Sequence, residues 1–301
     1  MQPPRWLPLA WAIVCVAAGA CGDTITGNKP AGKTVDSDAQ LQRYLRRAYL
    51  DLSGSAPGDS ELGDATARLR DAGNTAAARE VLVDDLIGRD GFTTLWLGEL
   101  DSAVFGGATL EQQYTFVCAL IRALAPPCMS CTATDACSCS CAAMQPYAAE
   151  RSSLRASAAD LKAGTTTATI ERRYAMATAY YILVGTPENR VKALFDDFLA
   201  RAAEADEIEN GRAMIVGALF PGQPAGLMFH RLGGSYADLI DIVFHSEVYR
   251  EAMVRRVFDR YLARSPSATE LAHFVATLNA TDPDLRGVVR AVVASREYFD
   301  Q

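Results

Sequence analysis

Cysteine is the residue type whose clustering in this chain could do chemistry. The chain has 301 residues and eight cysteines, and six of them lie between residues 118 and 141. These six are Cys118, Cys128, Cys131, Cys137, Cys139 and Cys141. An even number of clustered cysteines in an exported chain indicates disulfides, although the spacing alone does not fix the pairs. We therefore predict up to three disulfides, which hold a segment without helical periodicity in shape.

A metal site is the alternative use of the same cysteines. Cys128-x-x-Cys131 is a common half of a zinc or iron–sulfur site. The one-residue gaps of Cys137-x-Cys139-x-Cys141 do not match the second half of a zinc ribbon. Covalent haem needs C-x-x-C-H, and Thr132 follows Cys131. We expect no metal and no cofactor at this cluster.

Groups for other chemistry are sparse. The three histidines, His230, His245 and His273, form no H-E-x-x-H pattern, and neither G-x-S-x-G nor G-x-x-x-x-G-K occurs. Asp84-Asp85 and Asp196-Asp197 could serve as acid and base across a cleft. Because adjacent residues on a helix point in different directions, we expect one member of each pair to be solvated. The sequence predicts no catalytic residue.

Two arginine pairs and one tryptophan complete the candidates. Arg46-Arg47 and Arg255-Arg256 each precede a turn that contains proline, and we expect them to pair with Asp51 or Glu61 and lock that turn. Ligand binding by these arginines is the alternative. Trp96 has apolar neighbours one helical turn away on each side, so we expect it in the core rather than on a sugar-stacking surface.

The start of the chain has the pattern of an export signal. A single Arg5 precedes an apolar run that ends at residue 20, which is shorter than the roughly 20 residues needed to span a bilayer. The small residues 18–20 before Cys21 resemble the lipobox of bacterial lipoproteins, which implies a signal peptide over 1–20 and lipid attachment at Cys21. The alternative is an ordinary A-x-A cleavage site that Cys21 merely follows. Residues 21–36 have the composition of a flexible tether. Gly22 resembles the sorting position of outer-membrane lipoproteins, so we expect a lipid anchor in the outer membrane.

Composition limits the class of partner. Half of the residues are apolar, which suits a globular body. Asp and Glu number 36 against 29 Lys and Arg, giving a net charge of -7. Because binding to phosphate needs clustered basic residues, we expect no nucleic-acid partner.

Apolar residues recur with the period of a helix from residue 37 onward, and no stretch alternates like a strand. We predict an all-α fold with two related multi-helix modules, 37–125 and 165–301, joined by a cysteine-rich loop and connecting helix over 126–164. Capping side chains mark several helix starts, such as Ser37 with Gln40 and Ser267 with Glu270. Asp282 before Pro283 is likewise expected to cap the last predicted helix. The predicted helices are about 37–53, 59–72, 75–87, 92–105, 109–124, 149–163, 168–184, 187–204, 207–219, 236–245, 247–263, 267–279 and 283–294.

One segment repeats within the chain. Residues 46–69 superpose on 255–278 without a gap, and both segments read as a helix, a turn with proline and a second helix that opens with Glu-Leu. A weaker match starts near Ile170, where Tyr180 and Pro187 match Tyr49 and Pro57; it indicates either a third copy or chance similarity between alanine-rich amphipathic helices. Each helical pair is too small to bury its own apolar face, so the copies should pack on each other.

The repeated segments also resemble two families. The first resemblance is carried by four segments: residues 45–57, Glu61-Leu62, 83–87 and Trp96-Leu97. They resemble a secreted bacterial domain of unknown function that accompanies cytochrome-like modules and has the pattern R-R-x-Y-L-D-L-x-G-x-x-P. Residues 246–249, 261–266 and 295–299 resemble a helical domain of unknown function related to phycobilisome linkers. Both resemblances imply helical modules outside the cytoplasm, and neither implies an activity.

Together these patterns predict a lipid-anchored envelope protein that acts as a non-catalytic helical binding module. Its expected partners are the membrane, through the anchor, and a protein or glycan of the envelope. The alternative is an extracytoplasmic enzyme or electron-transfer accessory protein that uses the cysteine cluster.

Overall fold

The computed structural model describes residues 36–217 and 225–301. The predicted signal peptide, Cys21 and nearly all of the predicted tether lie outside these residues. Helices dominate the described chain, which confirms the all-α class. Its α-helices are α1 (Asp38–Ser53), α2 (Asp59–Asp71), α3 (Ala76–Ile87), α4 (Asp90–Val104), α5 (Leu110–Leu124), α6 (Gln145–Arg155), α7 (Ser157–Lys162), α8 (Thr167–Ala175), α9 (Thr178–Val184), α10 (Pro187–Leu199), α11 (Ala205–Val216), α12 (Tyr236–Phe244), α13 (Glu247–Leu262), α14 (Ala268–Thr277), α15 (Arg286–Val293) and α16 (Arg296–Asp300). No described helix is both long enough and apolar enough to cross a membrane.

Local capping chemistry sets most helix starts. The Ser37 hydroxyl accepts from the backbone N–H of Gln40, whose side chain accepts from the backbone of Ser37 in return. The same reciprocal box opens α14 at Ser267 and Glu270. These helices begin where the sequence predicts because each cap lies within four residues of the end that it satisfies.

Four predicted helices differ clearly in the structure. The helix predicted over 187–204 ends at Leu199, because the left-handed Ala200 terminates it. The predictions over 149–163 and 168–184 each correspond to two helices, α6 with α7 and α8 with α9. The helix predicted from residue 283 begins only at Arg286. Asp282 does not cap it, because its carboxylate accepts hydrogen bonds from the hydroxyls of Thr166 and Thr169 at the start of α8. The short α16 was not predicted.

One small sheet interrupts the helices. Strands β1 (Gly226–Met228) and β2 (Arg231–Gly233) form an antiparallel hairpin. Its two turn residues, Phe229 and His230, have φ of 46° and 62°, as a tight turn between twisted strands requires. Gly226 is needed for close packing, since a Cβ there would lie 2.3 Å from the backbone oxygen of Asn210.

The repeat predicted at a spacing of 209 residues is confirmed. Helices α1 and α13 both have 16 residues, and their left-handed C-caps, Gly54 and Ala263, occupy equivalent positions. In both copies the N-cap of the next helix comes four residues later.

The third copy lies in α10 and α11, not at the weaker match near Ile170. Helix α10 ends at the left-handed Ala200, and the N-cap Glu204 follows four residues later. By contrast, α9 ends at Gly185 outside the left-handed helical region, and the next N-cap follows at once. Helices α4 and α5 do not follow this pattern, because the C-cap of α4 is Phe105, which is not left-handed, and Gly106 with positive φ comes only three residues before the N-cap Thr109.

The same type of contact closes the turn between the two helices in each of the three copies. A glutamate in the first turn of the second helix binds an arginine, which lies over an aromatic ring of the first helix with its Cζ 4.8 to 5.2 Å from the ring centroid. The sets are Glu61 with Arg89 over Tyr49, Glu207 with Arg201 over Phe195, and Glu270 with Arg264 over Phe258. A cation over a ring and a paired carboxylate make each turn rigid.

The buried apolar residues of both predicted modules belong to one hydrophobic cluster. Tyr44 of α1 packs edge-on against Tyr298 of α16, with ring centroids 5.9 Å apart. Arg79 of α3 is 4% exposed, and its Nε donates to the backbone oxygen of Ala294, 2.6 Å away. The ends of the two predicted modules are therefore packed together.

Candidate functional site

The six clustered cysteines form three disulfides, as predicted. Cys118 pairs with Cys137, Cys128 with Cys141, and Cys131 with Cys139, with Cα–Cα distances of 5.1, 5.4 and 5.9 Å. These distances lie in the ordinary range for disulfides. The Cys118–Cys137 bond ties the segment to the buried face of α5, because Cys118 is part of that helix.

A buried arginine fastens the same segment from the other side. Arg151 of α6 binds Asp135 in the cysteine-rich segment and Glu111 of α5. Hydrogen bonds from Arg155 and Arg151 lower the pKa of Glu111 to about 2. Disulfides and ion pairs therefore hold the cysteine-rich segment in place, and the sulfur atoms of the six cysteines are bonded in pairs.

The remaining candidates are spread over the molecule. His230 lies in the hairpin turn, His245 follows α12 and has its Nδ1 2.7 Å from the backbone oxygen of Asp241, and His273 lies on α14. In the described part of the chain, no three His, Cys, Asp or Glu residues are placed to hold a metal ion.

The arginine pairs divide into an outer and an inner member. Arg46 and Arg255 are exposed. Arg47 forms the predicted ion pair with Asp51, at 3.4 Å, and also donates to the backbone oxygen of Tyr261 in the other module, 2.9 Å away. Arg256 instead binds Glu171 of α8. The expected pairing with Glu61 is wrong, because that carboxylate is bound by Arg89.

A half-open cavity of about 220 Å³ lies where the two modules meet. Helices α1, α4, α8, α10, α13 and α15 contribute to its wall. The apolar part of the wall includes Phe92, Trp96, Leu100, Met253, Val257 and Val289. Trp96 is half-buried and packs against the core on one side. The expected packing of Trp96 against the core is present, and the side chain also lines the cavity.

Equivalent positions of the repeats meet at this cavity. The position three residues before the left-handed C-cap is equivalent in the three copies. It is occupied by Asp51, Asp197 and Arg260, and all three residues line the wall. Ala103, in the last turn of α4, also lines it. The last turns of the repeated helices thus contribute equivalent positions to the wall.

Ion pairs cover most of the charge on the wall. Glu171 is 1% exposed, and its carboxylate accepts from Arg256 at 3.0 Å and from the hydroxyl of Tyr249 at 2.8 Å. Arg260 forms an ion pair with Glu99. These groups therefore neutralise one another across helices that are far apart in the sequence.

Asp197 has a different environment. The hydroxyl of Tyr180 donates to its Oδ2 at 2.9 Å. Burial raises the pKa of the Asp197 carboxyl to about 6, and the negative charge of Asp196 acts in the same direction. Asp196 is exposed, which confirms that only one member of this acidic pair points inward. Asp84 and Asp85 are both exposed.

Sequence reasoning did not predict the cavity, although the sequence contains two signals for it. Glu171 and Asp197 each lie beside buried apolar residues on the inner face of a helix, at Ile170 and Phe198. A charge within an apolar stripe is a recognisable sign of a buried polar site.

Comparison with known proteins found no matching family model, no matching curated protein and no matching solved structure. The two family resemblances stay predictions.

Proposed function

We propose that this protein is a lipid-anchored, non-catalytic binding module of the cell envelope. The lipid is attached at Cys21 and holds the helical body at the outer membrane, where the body docks an envelope partner. The observation that carries the proposal is the half-open, largely apolar cavity of about 220 Å³ at the junction of the two modules. Ligand sites are commonly concave and apolar with a few polar groups, and they favour such junctions.

The polar groups of the wall support binding rather than catalysis. Acid–base chemistry uses a pair of groups with different and available protonation states. Here Glu171 and Glu99 are each held by an arginine, which leaves Asp197 without an obvious second member. The three disulfides also weigh against an electron-transfer protein that holds a metal at this cluster, because metal ligation would need the same sulfur atoms as thiolates.

The size of the cavity favours a protein partner that inserts one side chain. Sites for drug-sized ligands occupy about 300–1,000 Å³, so this cavity suits a smaller group. A sugar ring of a glycan is the other group of suitable size. The apolar wall favours the side chain, because sugar hydroxyls need several free hydrogen-bonding partners and most polar groups of the wall bind one another. The net negative charge disfavours nucleic acid.

Labelling with radioactive palmitate tests the anchor. Cells that express the full chain should incorporate label into the protein, and the Cys21→Ala variant should stay unlabelled. Equal labelling of both forms, or no label in the wild type, would contradict the anchor without bearing on the cavity.

Filling the mouth of the cavity tests the binding role. Ala103 lies on the rim and is exposed, so Ala103→Trp should block the cavity without disturbing the core. Ser102→Trp is the matched control, since Ser102 is an exposed neighbour that does not line the cavity. A partner captured from envelope extract should be lost with Ala103→Trp and kept with Ser102→Trp. Capture that both variants retain would refute the cavity as the binding site.

A further inference from the structure

The repeats allow the charges of equivalent positions to be compared. Asp51 has Arg47 one helical turn before it, and the two form an ion pair at 3.4 Å. The equivalent neighbour of Asp197 is Ala193, which cannot supply a charge. The alanine in place of an arginine therefore leaves Asp197 without the cation that its counterpart Asp51 has.

Other helices do not replace this cation. The arginines of the wall are engaged elsewhere, Arg256 with Glu171 and Arg260 with Glu99. The polar neighbours that act on Asp197 are the Tyr180 hydroxyl and the carboxylate of Asp196, and neither is positive. Among the carboxylates that the described residues bring to this cavity, Asp197 is the one without an ion pair.

This inference rests on the proposed function. We propose that the group inserted into the cavity is an ammonium on an apolar stem, as in a lysine side chain, with its charge at Asp197 and its stem against Trp96. A group that fills a cavity of about 220 Å³ contacts both residues, because both line it.

One physical effect favours this occupant over a neutral one. The half-buried carboxylate of Asp197 has lost part of its hydration, as the upward shift of its pKa reflects, and a bound cation restores the lost stabilisation. Trp96 lines the same cavity and gives the apolar stem a surface to contact. An anion would meet repulsion from Asp197.

The experiment uses three probes of similar shape and different charge: n-butylamine, 1-butanol and butyrate. Trp96 follows the predicted cleavage site, whereas the other two tryptophans, Trp6 and Trp11, precede it. A soluble form that starts at residue 22 keeps every described residue and has a single tryptophan. Incorporation of 5-fluorotryptophan then gives one ¹⁹F resonance at the cavity wall, and its shift during titration at about pH 7.5 reports binding.

The amine should bind about tenfold more tightly than the alcohol, and the butyrate should bind least. Asp197→Asn should remove the preference for the amine, while Asp196→Asn, which changes the charge of the exposed neighbour, should keep it. Ala193→Arg should also remove the preference, because it gives Asp197 the internal cation that Arg47 gives Asp51. Each variant must keep the wild-type circular dichroism spectrum.

The outcomes separate this inference from the function on which it rests. Equal binding of amine and alcohol would overturn the preference for a cation and leave the cavity as a binding site. No binding of any probe by the folded protein would count against both. Titration with Nα-acetyl-lysine amide, which keeps the side-chain ammonium, distinguishes the source of the ammonium: binding supports a lysine of a protein partner, and binding of n-butylamine alone supports a free amine.

Discussion

Replacing Asp197 by asparagine should stabilise the protein at neutral pH. Burial raises the pKa of this carboxyl from 3.8 to about 6, so the folded protein holds the proton more tightly than the unfolded chain does. The free energy of unfolding therefore falls as the pH rises from about 4 to about 6, and above this range the loss is complete. Asparagine keeps the shape of the side chain and can accept the hydrogen bond from Tyr180, but it carries no charge.

The magnitude follows from the shift of the pKa. A shift of about 2 units at about 1.4 kcal/mol per unit gives a ceiling of about 3 kcal/mol. Because Asp197 is only half-buried and borders an open cavity, water screens part of its charge. We therefore expect Asp197→Asn to raise the free energy of unfolding by about 1–2 kcal/mol at pH 7.5 and by close to zero at pH 4.

Urea unfolding followed by circular dichroism at about pH 4, 5, 6 and 7.5 measures this difference in the free energy of unfolding. The m-value, which is the slope of that free energy against urea concentration, should be the same for both forms if unfolding is two-state. Asp196→Asn is the matched control, since that carboxylate is exposed and its removal should give no comparable gain. Across the cavity, Glu171 and Arg256 stay ion-paired and do not vary between the forms. A gain for Asp197→Asn that is the same at pH 4 and 7.5, or no gain at pH 7.5, would refute the reasoning.

Three further changes test the packing that surrounds the site. The double substitution Cys118→Ala/Cys137→Ala opens a loop with a sequence separation of 19 and should lower the free energy of unfolding in urea by about 3 kcal/mol; a loss under about 1 kcal/mol would contradict the bracing role. Arg264→Met removes the cation shared by two glutamates, one of them fully buried, and should cost about 3–5 kcal/mol, seen as a fall in Tm of about 10 °C; an unchanged Tm would contradict it. Gly211→Ala puts a Cβ 2.6 Å from Cγ2 of Val191 and should cost about 1–3 kcal/mol in urea unfolding. Val191→Ala in the same chain should restore part of that loss, and a purely additive double variant would show that crowding is not the cause.

The parts of the fold that the sequence predicted are those set by local chemistry. The cap at Ser37 and the left-handed Gly54 act within one helical turn, so the bounds of α1 follow from residues next to them. The disulfide cysteines were recognisable from their number and clustering, but their pairing was not. It depends on α5 and the segment after it being folded back together, which brings Cys118 to Cys137.

The parts that the sequence did not predict depend on distant contacts. Asp282 was expected to cap its own helix, and it binds hydroxyls of α8 instead, more than 100 residues earlier in the chain. The pairing of Glu171 with Arg256 likewise joins α8 to α13. No local pattern indicates such partners, because they exist only once the helices have packed.

The third repeat shows how a local pattern can still indicate a non-local site. The runs 195–201 and 258–264 share F-D-x-[FY]-L-A-R, and both lead to a glutamate six residues after the arginine. Their common fold fixes which residue of each helix faces the junction, so Asp197 and Arg260 must lie on the same side of their turns. Repetition thus brings equivalent positions together, and divergence at those positions decides what the junction can bind. A copy with arginine at this position finds its partner within the protein, whereas the copy with Asp197 and Ala193 presents an uncompensated carboxylate to the cavity. We therefore expect the charge of the bound group to follow the residues at these two positions, and the exchange Ala193→Arg tests that rule directly.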